Sequence, residues 1–251
     1  MTAFLTLVER ECYRFGRMTA QTIAPAVVTT TLFVLIFGYS LGQGIREVSG
    51  FSYIQYILPG LIGMAVITNA YSNSSNSLFM ARIDRSIESL LVAPVSPFQI
   101  VGAFVIGGVL RGLTVGGVTL AVGSLLTGVS IHSPFQVCVF FLIASTLFSS
   151  LGVIAALCAT MWDHLSTFST FVITPFTYLG GVFYSIQMLP DFWKKISLLN
   201  PILYLIDGFR FAILGISDIP MVTAAAVSSA LAVASLGIAI WLFQRGFRII
   251  L

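Results

Sequence analysis

Charged residues are scarce in this sequence. Asp, Glu, Lys and Arg make up 8% of its 251 residues, whereas a soluble domain carries about 25%. So little charge cannot cover a water-facing surface, and 57% of the residues are hydrophobic. The chain is therefore expected to be an all-α membrane protein with lipid as its main solvent. Its net charge of +3 is small and spread along the chain, which does not suggest a nucleic-acid partner.

Residues for metal or covalent chemistry are also few. The three cysteines, Cys12, Cys138 and Cys158, lack metal-ligand spacing, and an odd count does not suit a disulfide framework. His132 and His164 lie near opposite ends of one predicted span, so they cannot share a metal. The sequence contains no G-x-x-x-x-G-K-[ST] phosphate loop and no evident pairing of a nucleophile with a base. We therefore expect no enzyme activity, no metal and no cofactor in this chain.

Long apolar runs, by contrast, are abundant. Six of them reach the roughly 20 residues that a membrane-spanning helix needs. With no internal repeat or soluble segment, the sequence predicts a single transmembrane domain, 1–251, with six spans. The predicted spans lie near 22–41, 53–74, 98–127, 135–160, 167–189 and 220–243.

Residues 4–18, ahead of the first span, form an amphipathic pattern. An apolar stripe lies on one helical face, and Arg10, Arg14 and Arg17 line another. This pattern is typical of a helix in the membrane interface with its Arg side chains towards lipid phosphates. A basic, partly ordered tail ahead of the first span is the alternative.

The Lys and Arg residues indicate how the chain is oriented, because cytoplasmic loops carry an excess of them. With the N-terminus inside, seven fall on the cytoplasmic side and four on the far side. We therefore expect a protein of the cell membrane with both termini in the cytoplasm. The seven are Arg10, Arg14, Arg17, Arg82, Arg85, Arg245 and Arg248, and the four are Arg46, Lys194, Lys195 and Arg210.

A charged stretch separates the second and third predicted spans. Read as a helix over 82–93, it carries its apolar residues on one face and its charged residues on another. Pro94 and Pro97 then end the helix before the next apolar run. We interpret it as a short amphipathic helix at the water boundary, with an ordinary solvated loop helix as the alternative. Its apolar face is Ile83, Ile87, Leu90 and Leu91, and its charged residues are Arg82, Asp84, Arg85 and Glu88.

Arg111 lies well inside the third predicted span. A lone arginine within a membrane marks a functional site by default, because a charge that faces lipid is costly. Its neighbours Gly108, Gly112 and Gly116 recur every four residues and allow another backbone to approach closely. Arg111 is then expected to point into the bundle interior or a wet cavity. The alternative is a structural role, in which Arg111 bonds carbonyls or a hydroxyl within the bundle.

The segment 190–217 is apolar but interrupted by polar residues. Asp207 or Arg210 at the bilayer centre would cost about 3 kcal/mol each, and their i, i+3 spacing allows them to pair on one helical face. We predict an external hairpin of two short helices that dips into the outer leaflet without crossing. Its polar and turn-forming residues are Asn200, Pro201, Tyr204, Asp207 and Arg210.

Four blocks of sequence, in this order, resemble the membrane subunit of type-2 ABC exporters, the drug, lipid and polysaccharide exporter group. The match covers essentially the whole chain and is closest to small bacterial permeases with no attached ATPase domain. The blocks are I-L-P-G-L-I at 57–62, E-S-L-L-V-A-P at 88–94, T-P-F-T-Y-L-G-G-V-F-Y at 174–184 and L-N-P-I-L-Y-L-I-D-G-F-R at 199–210.

The resemblance implies a permease subunit in a bacterial inner membrane, with a cytoplasmic coupling helix on Arg82 to Ala93. That helix would dock in a separate ATPase subunit, which holds the ATP and Mg. Two ATPases and a second, identical permease would complete the working unit, with the path of an unknown export substrate between the permeases. Arg82, Asp84, Arg85 and Glu88 would contact the ATPase, while Leu90 and Leu91 anchor the helix to the bundle. The alternative is a secondary carrier or channel driven by an ion gradient.

Overall fold

A computed structural model of the chain describes residues 2–17, 19–38 and 47–249. The last residue of the predicted interfacial helix, the end of the first predicted span and Arg46 lie outside the described residues. The described residues form helices, with one isolated bridge between Val48 and Phe51 and no strand. The prediction of an all-α fold is therefore confirmed.

Eleven α-helices follow one another along the described chain. A π-helix at Ser169–Ile173 separates the seventh from the eighth, and a 3₁₀ turn at Ile186–Met188 precedes the ninth. The helices are α1 Thr2–Arg17, α2 Thr19–Ile36, α3 Tyr53–Ile83, α4 Ser86–Val92, α5 Pro97–Thr127, α6 Pro134–Cys158, α7 Trp162–Phe168, α8 Thr174–Leu179, α9 Asp191–Leu198, α10 Pro201–Leu214 and α11 Met221–Gln244.

Four of these helices, α3, α5, α6 and α11, are long and apolar enough to cross a membrane. Two bent pairs could add one span each: α1 and α2 meet at 55°, and α9 and α10 meet at 92°. Such a pair is either a broken span or a re-entrant loop, so the described chain has between four and six candidate spans. The six-span arrangement itself stays a prediction.

The bounds of the long helices follow the apolar runs closely. Helices α5, α6 and α11 begin and end within two residues of the predicted spans. Helix α3 instead continues to Ile83, nine residues beyond the predicted 74. Its polar stretch stays helical because Asn73, Ser74 and Ser77 are buried against neighbouring helices, so tertiary packing outweighs their modest helix propensity.

The predicted fifth span, 167–189, has a different outline. Helix begins earlier, at Trp162, passes through the π-helix and ends at Leu179, so the predicted end at 189 is wrong. Pro175 cannot donate a backbone hydrogen bond to the preceding turn, and such positions favour a π-type irregularity. Gly181 then takes φ +81°, a left-handed conformation that suits glycine and turns the chain out of the helix.

The Gly108, Gly112 and Gly116 stripe lies where α5 meets α3 and α6. A Cβ atom added at any of the three glycines would come within 3.0 Å of a neighbouring atom. The nearest atoms are the hydroxyls of Ser74 and Ser149 at Gly108, the Ser145 hydroxyl at Gly112, and Val66 and Phe141 side chains at Gly116. The stripe therefore serves close packing between helices of this chain.

The apolar core has two large parts, one at each end of the bundle, besides a small cluster of Ile186, Leu203 and Ile219. The part around Tyr56, Phe140 and Phe209 includes α10 and is called the α10 end below. The part around Phe79 and Ile87 includes α4, α1 and the last turns of α6 and α11, and is called the α4 end. Helices α3, α5 and α6 run between the two ends and connect them.

Candidate functional site

Helix α4 projects from the α4 end of the bundle. Arg85 precedes it in the left-handed conformation, at φ 56° and ψ 10°, and this turns the chain sharply after α3. The helix stops at Val92, after which Ala93 is extended and two prolines follow. The Ile87 side chain is 1% exposed and packs into the core at this end. One apolar side chain therefore anchors a short helix between two long ones.

The other side of α4 faces outwards. Asp84, Arg85, Glu88 and Ser89 are exposed, and the first three make no ion pair with any described residue. Apolar side chains lie beside them, since Ile83, Leu91 and Val92 are 49%, 43% and 88% exposed. The α4 surface is defined as six of these residues: Ile83, Asp84, Arg85, Glu88, Leu91 and Val92.

Two sequence predictions for this region need correction. The helix spans Ser86–Val92 rather than 82–93, because the left-handed Arg85 breaks the helical phase set by α3. As a result Leu91 points outwards and does not anchor the helix; Leu90 is partly buried against the core, and Ile87 is the main anchor. The prediction that Leu91 holds α4 to the bundle is therefore wrong.

Arg82 also differs from its prediction. It lies in the last turn of α3, is 2% exposed, and donates from Nη1 to the carbonyl oxygens of Ala156 and Ala159, the latter at 3.0 Å. Arg248 donates to the Cys158 carbonyl oxygen at 3.2 Å. Two cations thus neutralise carbonyls at the C-terminus of α6, where the helix dipole is negative. Arg82 is a helix cap, so it is not available as a contact to a partner protein.

A second polar site lies at the α10 end, around Arg210. This side chain is 2% exposed and forms ion pairs with Asp207 at 3.6 Å and Asp218 at 3.8 Å. Its Nη2 donates to the Gly181 carbonyl oxygen at 2.6 Å, and the guanidinium lies 4.2 Å from the centroid of the Tyr56 ring. The pairing of Asp207 with Arg210, predicted from their spacing, is confirmed.

Both carboxylates of this site have further donors. Asp207 accepts from the backbone N–H groups of Asp218 at 2.9 Å and Ile219 at 3.0 Å. Asp218 accepts from the Ser185 hydroxyl at 2.7 Å and the Ile186 N–H at 3.1 Å. The loop before α9, helix α10 and the loop before α11 are therefore joined by one buried network. Such matched burial is what a charge needs in a low-dielectric interior.

The remaining hairpin residues shape α9 and α10. Asn200 caps α10 by accepting from the Ile202 N–H at 3.0 Å, and its Nδ2 donates to the Phe176 carbonyl oxygen at 2.6 Å. Pro201 occupies the first turn of α10, where no N–H is needed. The Tyr204 hydroxyl donates to the Leu198 carbonyl oxygen at 2.9 Å. Two short helices are present as predicted. That they dip into the membrane without crossing it stays a prediction.

Arg111 lies beside a cavity of about 280 Å³ between α2, α3 and α5. Its Nε is buried without a hydrogen-bond partner, and none of the described residues forms an ion pair with it. The alternative role predicted for it, bonding carbonyls or a hydroxyl, is absent from the described contacts. The cavity lining is partly polar and includes Gln21, Thr29, Thr30, Thr68 and Asn69.

Helix α1 turns a polar group inwards that the sequence did not indicate. Glu11 is 2% exposed, accepts from the Ser77 hydroxyl at 2.6 Å, and pairs with Arg14 at 3.1 Å. Arg14 also donates to the Asn73 side-chain oxygen at 3.2 Å. The prediction that Arg14 reaches lipid phosphates is therefore wrong, because Glu11 and Asn73 hold it against α3. An acidic residue four positions after Leu7, on the apolar face, was the available signal.

The other residue missed from the sequence is Asp218, the second carboxylate on Arg210. It stands in a loop, and nothing in its local pattern separates it from an ordinary solvated turn residue. For metal binding, we find no group of three or more His, Cys, Asp or Glu side chains within residues 2–17, 19–38 and 47–249. The candidate sites are thus two charge networks, the cavity beside Arg111 and the exposed α4 surface.

Comparison with known proteins decides the family. Residues 2–214 match the family model described as ABC-2 type transporter, which is most of the chain.

The chain belongs to the ABC-2 type transporter family.

Curated relatives agree with this assignment. The chain is 46% identical over 244 residues to the inner membrane transport permease YadH of Escherichia coli strain K12, covering 97% of this chain and 95% of the relative. It is 27% identical over 187 residues to nodulation protein J of Sinorhizobium fredii, covering 74% and 70%. A nodulation protein J from Neorhizobium galegae is also 27% identical, over 203 residues, covering 77% and 76%. This ABC-2 permease is therefore a multi-pass inner membrane transport subunit.

Proposed function

We propose that this permease is driven by a separate ATP-hydrolysing subunit that docks on the α4 surface. The proposal rests on the contrast between the buried and the exposed side of α4 and of the residues just before it. A seven-residue helix is anchored by one buried isoleucine, while three unpaired charges and three apolar side chains face outwards. Charged groups beside exposed apolar side chains are typical of a surface that another protein covers.

The position of α4 suits the transmission of force. Ile87 packs in one core with Phe79 of α3 and with Ile100 and Phe104 of α5. The connections to both long helices are only a few residues long. A displacement of α4 by a closing ATPase would therefore move the ends of α3 and α5 together. Packed cores transmit such displacements because they are close to incompressible.

The rest of the proposal concerns assembly and direction. Two copies of this permease would join two ATPase subunits, with ATP and Mg on the ATPase and the export path between the permeases. The α4 surface has to face the cytoplasm to meet an ATP-hydrolysing partner. Helix α1 and the last turn of α11 would then also face the cytoplasm, since Leu7 and Phe243 belong to the α4-end core.

The orientation can be tested with topology reporters. We expect a reporter fused after Leu251 to read as cytoplasmic and one inserted near Lys194 to read as external. The reasons are the bias in Lys and Arg and the placement of α9 at the α10 end. An external C-terminus would show that the α9–α10 pair crosses the membrane, and would contradict the hairpin proposal.

Docking is tested by reversing one charge on the α4 surface. We expect Glu88→Lys to insert and fold normally, because the Glu88 side chain is exposed and forms no described hydrogen bond or ion pair. Co-purification with the ATPase, or the ATP hydrolysis that the permease stimulates, should fall. The reason is that a broken interfacial charge pair costs about 2–5 kcal/mol of binding free energy.

A matched control is available at the other end of the bundle. Glu47 is also exposed, and it precedes Val48, which belongs to the α10-end core. Glu47→Lys makes the same charge change, so it should leave ATPase assembly unchanged. Equal losses from both variants, or none from Glu88→Lys, would contradict docking on α4. Transport that follows an ion gradient without ATP would favour the carrier alternative.

A further inference from the structure

The cavity beside Arg111 lies near the middle of the bundle. Arg111 is 14 residues from Pro97, the first residue of α5, which places it roughly 21 Å along the helix axis. The facing residues Thr68 and Asn69 are equally central in α3. A cationic side chain at this depth is far from the aqueous ends where arginine normally finds partners.

The wall of the cavity leaves Arg111 without a counter-charge. Gln21, Thr29 and Thr30 face it from α2, and the described residues that line the cavity include no carboxylate. On α1, Glu11 is already paired with Arg14 and bonded to Ser77. Among the described residues that line the cavity, Arg111 is the only charged one.

The polar groups of α3 in the cavity do not satisfy Arg111 either. Thr68 donates its hydroxyl to the Met64 carbonyl oxygen at 2.8 Å, and Asn69 donates to the Ala65 carbonyl oxygen at 3.0 Å. These bonds remain within α3, so the two side chains are held in place at the wall of the cavity. The pocket is thus ordered before any ligand enters it.

The polar wall continues along α3 beyond the cavity. Ser72 and Asn76 follow Thr68 at intervals of four residues, so they share its helical face, and all of these are partly exposed. Ser72 and Asn76 line a second hollow of about 220 Å³, between α3 and α7, with Ser166 and Ser169 opposite. A stripe of hydroxyl and amide groups therefore runs from the middle of the bundle towards the α4 end.

We propose that the Arg111 cavity binds the oxyanion of a phosphate- or carboxylate-bearing amphiphile, the class of molecule that this permease transports. The guanidinium would hold the oxyanion by charge-assisted hydrogen bonds, and the polar stripe of α3 would solvate the head group on its way to that site. The acyl part would remain in lipid. Head groups normally sit at the bilayer surface, so a head group held at this depth is one in transit. Binding does not require the ATPase, whereas transport of the bound molecule rests on the proposed function.

Binding can be measured on the purified permease in detergent micelles by native mass spectrometry. The probes are phosphatidylglycerol, diacylglycerol of the same chain length, which lacks the phosphate, and inorganic phosphate as a competitor. We expect the wild-type chain to retain phosphatidylglycerol in preference to diacylglycerol. Arg111→Gln should weaken retention of phosphatidylglycerol by about tenfold or more, as expected for loss of a charge-assisted hydrogen bond.

Two further variants separate this site from general lipid binding. Arg245→Gln removes an exposed arginine near the end of α11 and should leave retention unchanged. Ala65→Leu keeps Arg111 but fills part of the cavity, so it should lower retention even if Arg111→Gln folds poorly. Competition by inorganic phosphate would show that the head group alone is recognised. Binding that phosphate does not displace would show that the acyl chains contribute; both results support an oxyanion site.

Three results would overturn the proposal. They are equal retention of the two lipids by the wild-type chain, unchanged retention in a folded Arg111→Gln variant, and equal losses in Arg111→Gln and Arg245→Gln. Each is independent of ATPase docking, because no partner protein is present in the experiment. A failure of Glu88→Lys to affect assembly would, conversely, leave the lipid measurement unaffected.

Discussion

The Arg210 network at the α10 end and the α4 surface treat their charges in opposite ways. At the α10 end, Arg210 is matched by two carboxylates, a carbonyl oxygen and an aromatic ring, all inside the protein. At the α4 end, Asp84, Arg85 and Glu88 are exposed and pair with no described residue. The charges of the Arg210 network are buried and matched within the fold, whereas those of the α4 surface remain available to another molecule.

The same distinction separates the arginines of this chain. Arg82 and Arg210 are buried and bonded to groups of the chain, so their role is structural. Arg85 is exposed and Arg111 faces a cavity, and neither side chain has a described hydrogen bond. Removing a matched arginine should therefore reduce stability, and removing an unmatched one should reduce binding.

The largest loss of stability is expected when Arg210 is replaced. Arg210→Met leaves Asp207 and Asp218 without their cation, and removal of one member of a buried charge network costs about 3–5 kcal/mol. We expect a much lower yield of folded permease and a lower thermal unfolding midpoint in detergent. Arg245→Met makes the same change at an exposed site beside Trp241 and should shift stability by about 0.5 kcal/mol or less. Similar stability in the two variants would remove the contrast between the ends.

A smaller loss of stability is expected when Arg82 is replaced. Replacement of Arg85 should instead weaken binding of the ATPase. Arg82→Met removes charge-assisted bonds to the C-terminal carbonyls of α6, worth about 1.5–3 kcal/mol, so the thermal midpoint should fall. Arg85→Met should leave the midpoint unchanged and weaken ATPase co-purification instead. If Arg82→Met kept full stability but lost the ATPase, the assignment of Arg82 as a helix cap would be wrong.

The smallest effects concern two glycines of α5. A Cβ at Gly108 would collide with Ser74 and Ser149, whereas a Cβ at Gly117 would meet nothing within 4 Å. Gly108→Ala should therefore cost about 1–3 kcal/mol through overpacking. Gly117→Ala should be neutral or stabilise the helix by about 0.5–1 kcal/mol. Thermal unfolding of both variants measures the difference, and equal midpoints would show that the α5 seam is not tightly packed.

Much of the fold could be predicted because lipid imposes simple rules on sequence. Spans appear as apolar runs of fixed length, and the bounds of α5, α6 and α11 followed directly. The pairing of Asp207 with Arg210 was also predictable, since both stand on one helix at a spacing that brings them together. Local spacing and composition contain this information.

The remaining features depend on contacts between distant segments. Asp218 reaches Arg210 and Glu11 reaches Ser77 only after the helices have packed. The left-handed Arg85 shifted the phase of α4, so Leu91 turned outwards although its spacing placed it on the apolar face. Arg82 was assigned to the wrong helix for the same reason. A one-dimensional pattern cannot show where one helix stops and the next begins in a new direction.

The central claim is that the α4 surface docks a soluble ATPase, and site-specific photocrosslinking in intact cells tests it most directly. A photoreactive amino acid replaces Glu88 in one variant and Glu47 in another, and the captured proteins are identified by mass spectrometry. We predict that position 88 captures a soluble protein that contains a G-x-x-x-x-G-K-[ST] phosphate loop, and that position 47 does not. Capture of such a protein from position 47 alone, or of lipid and no protein from position 88, would contradict the account.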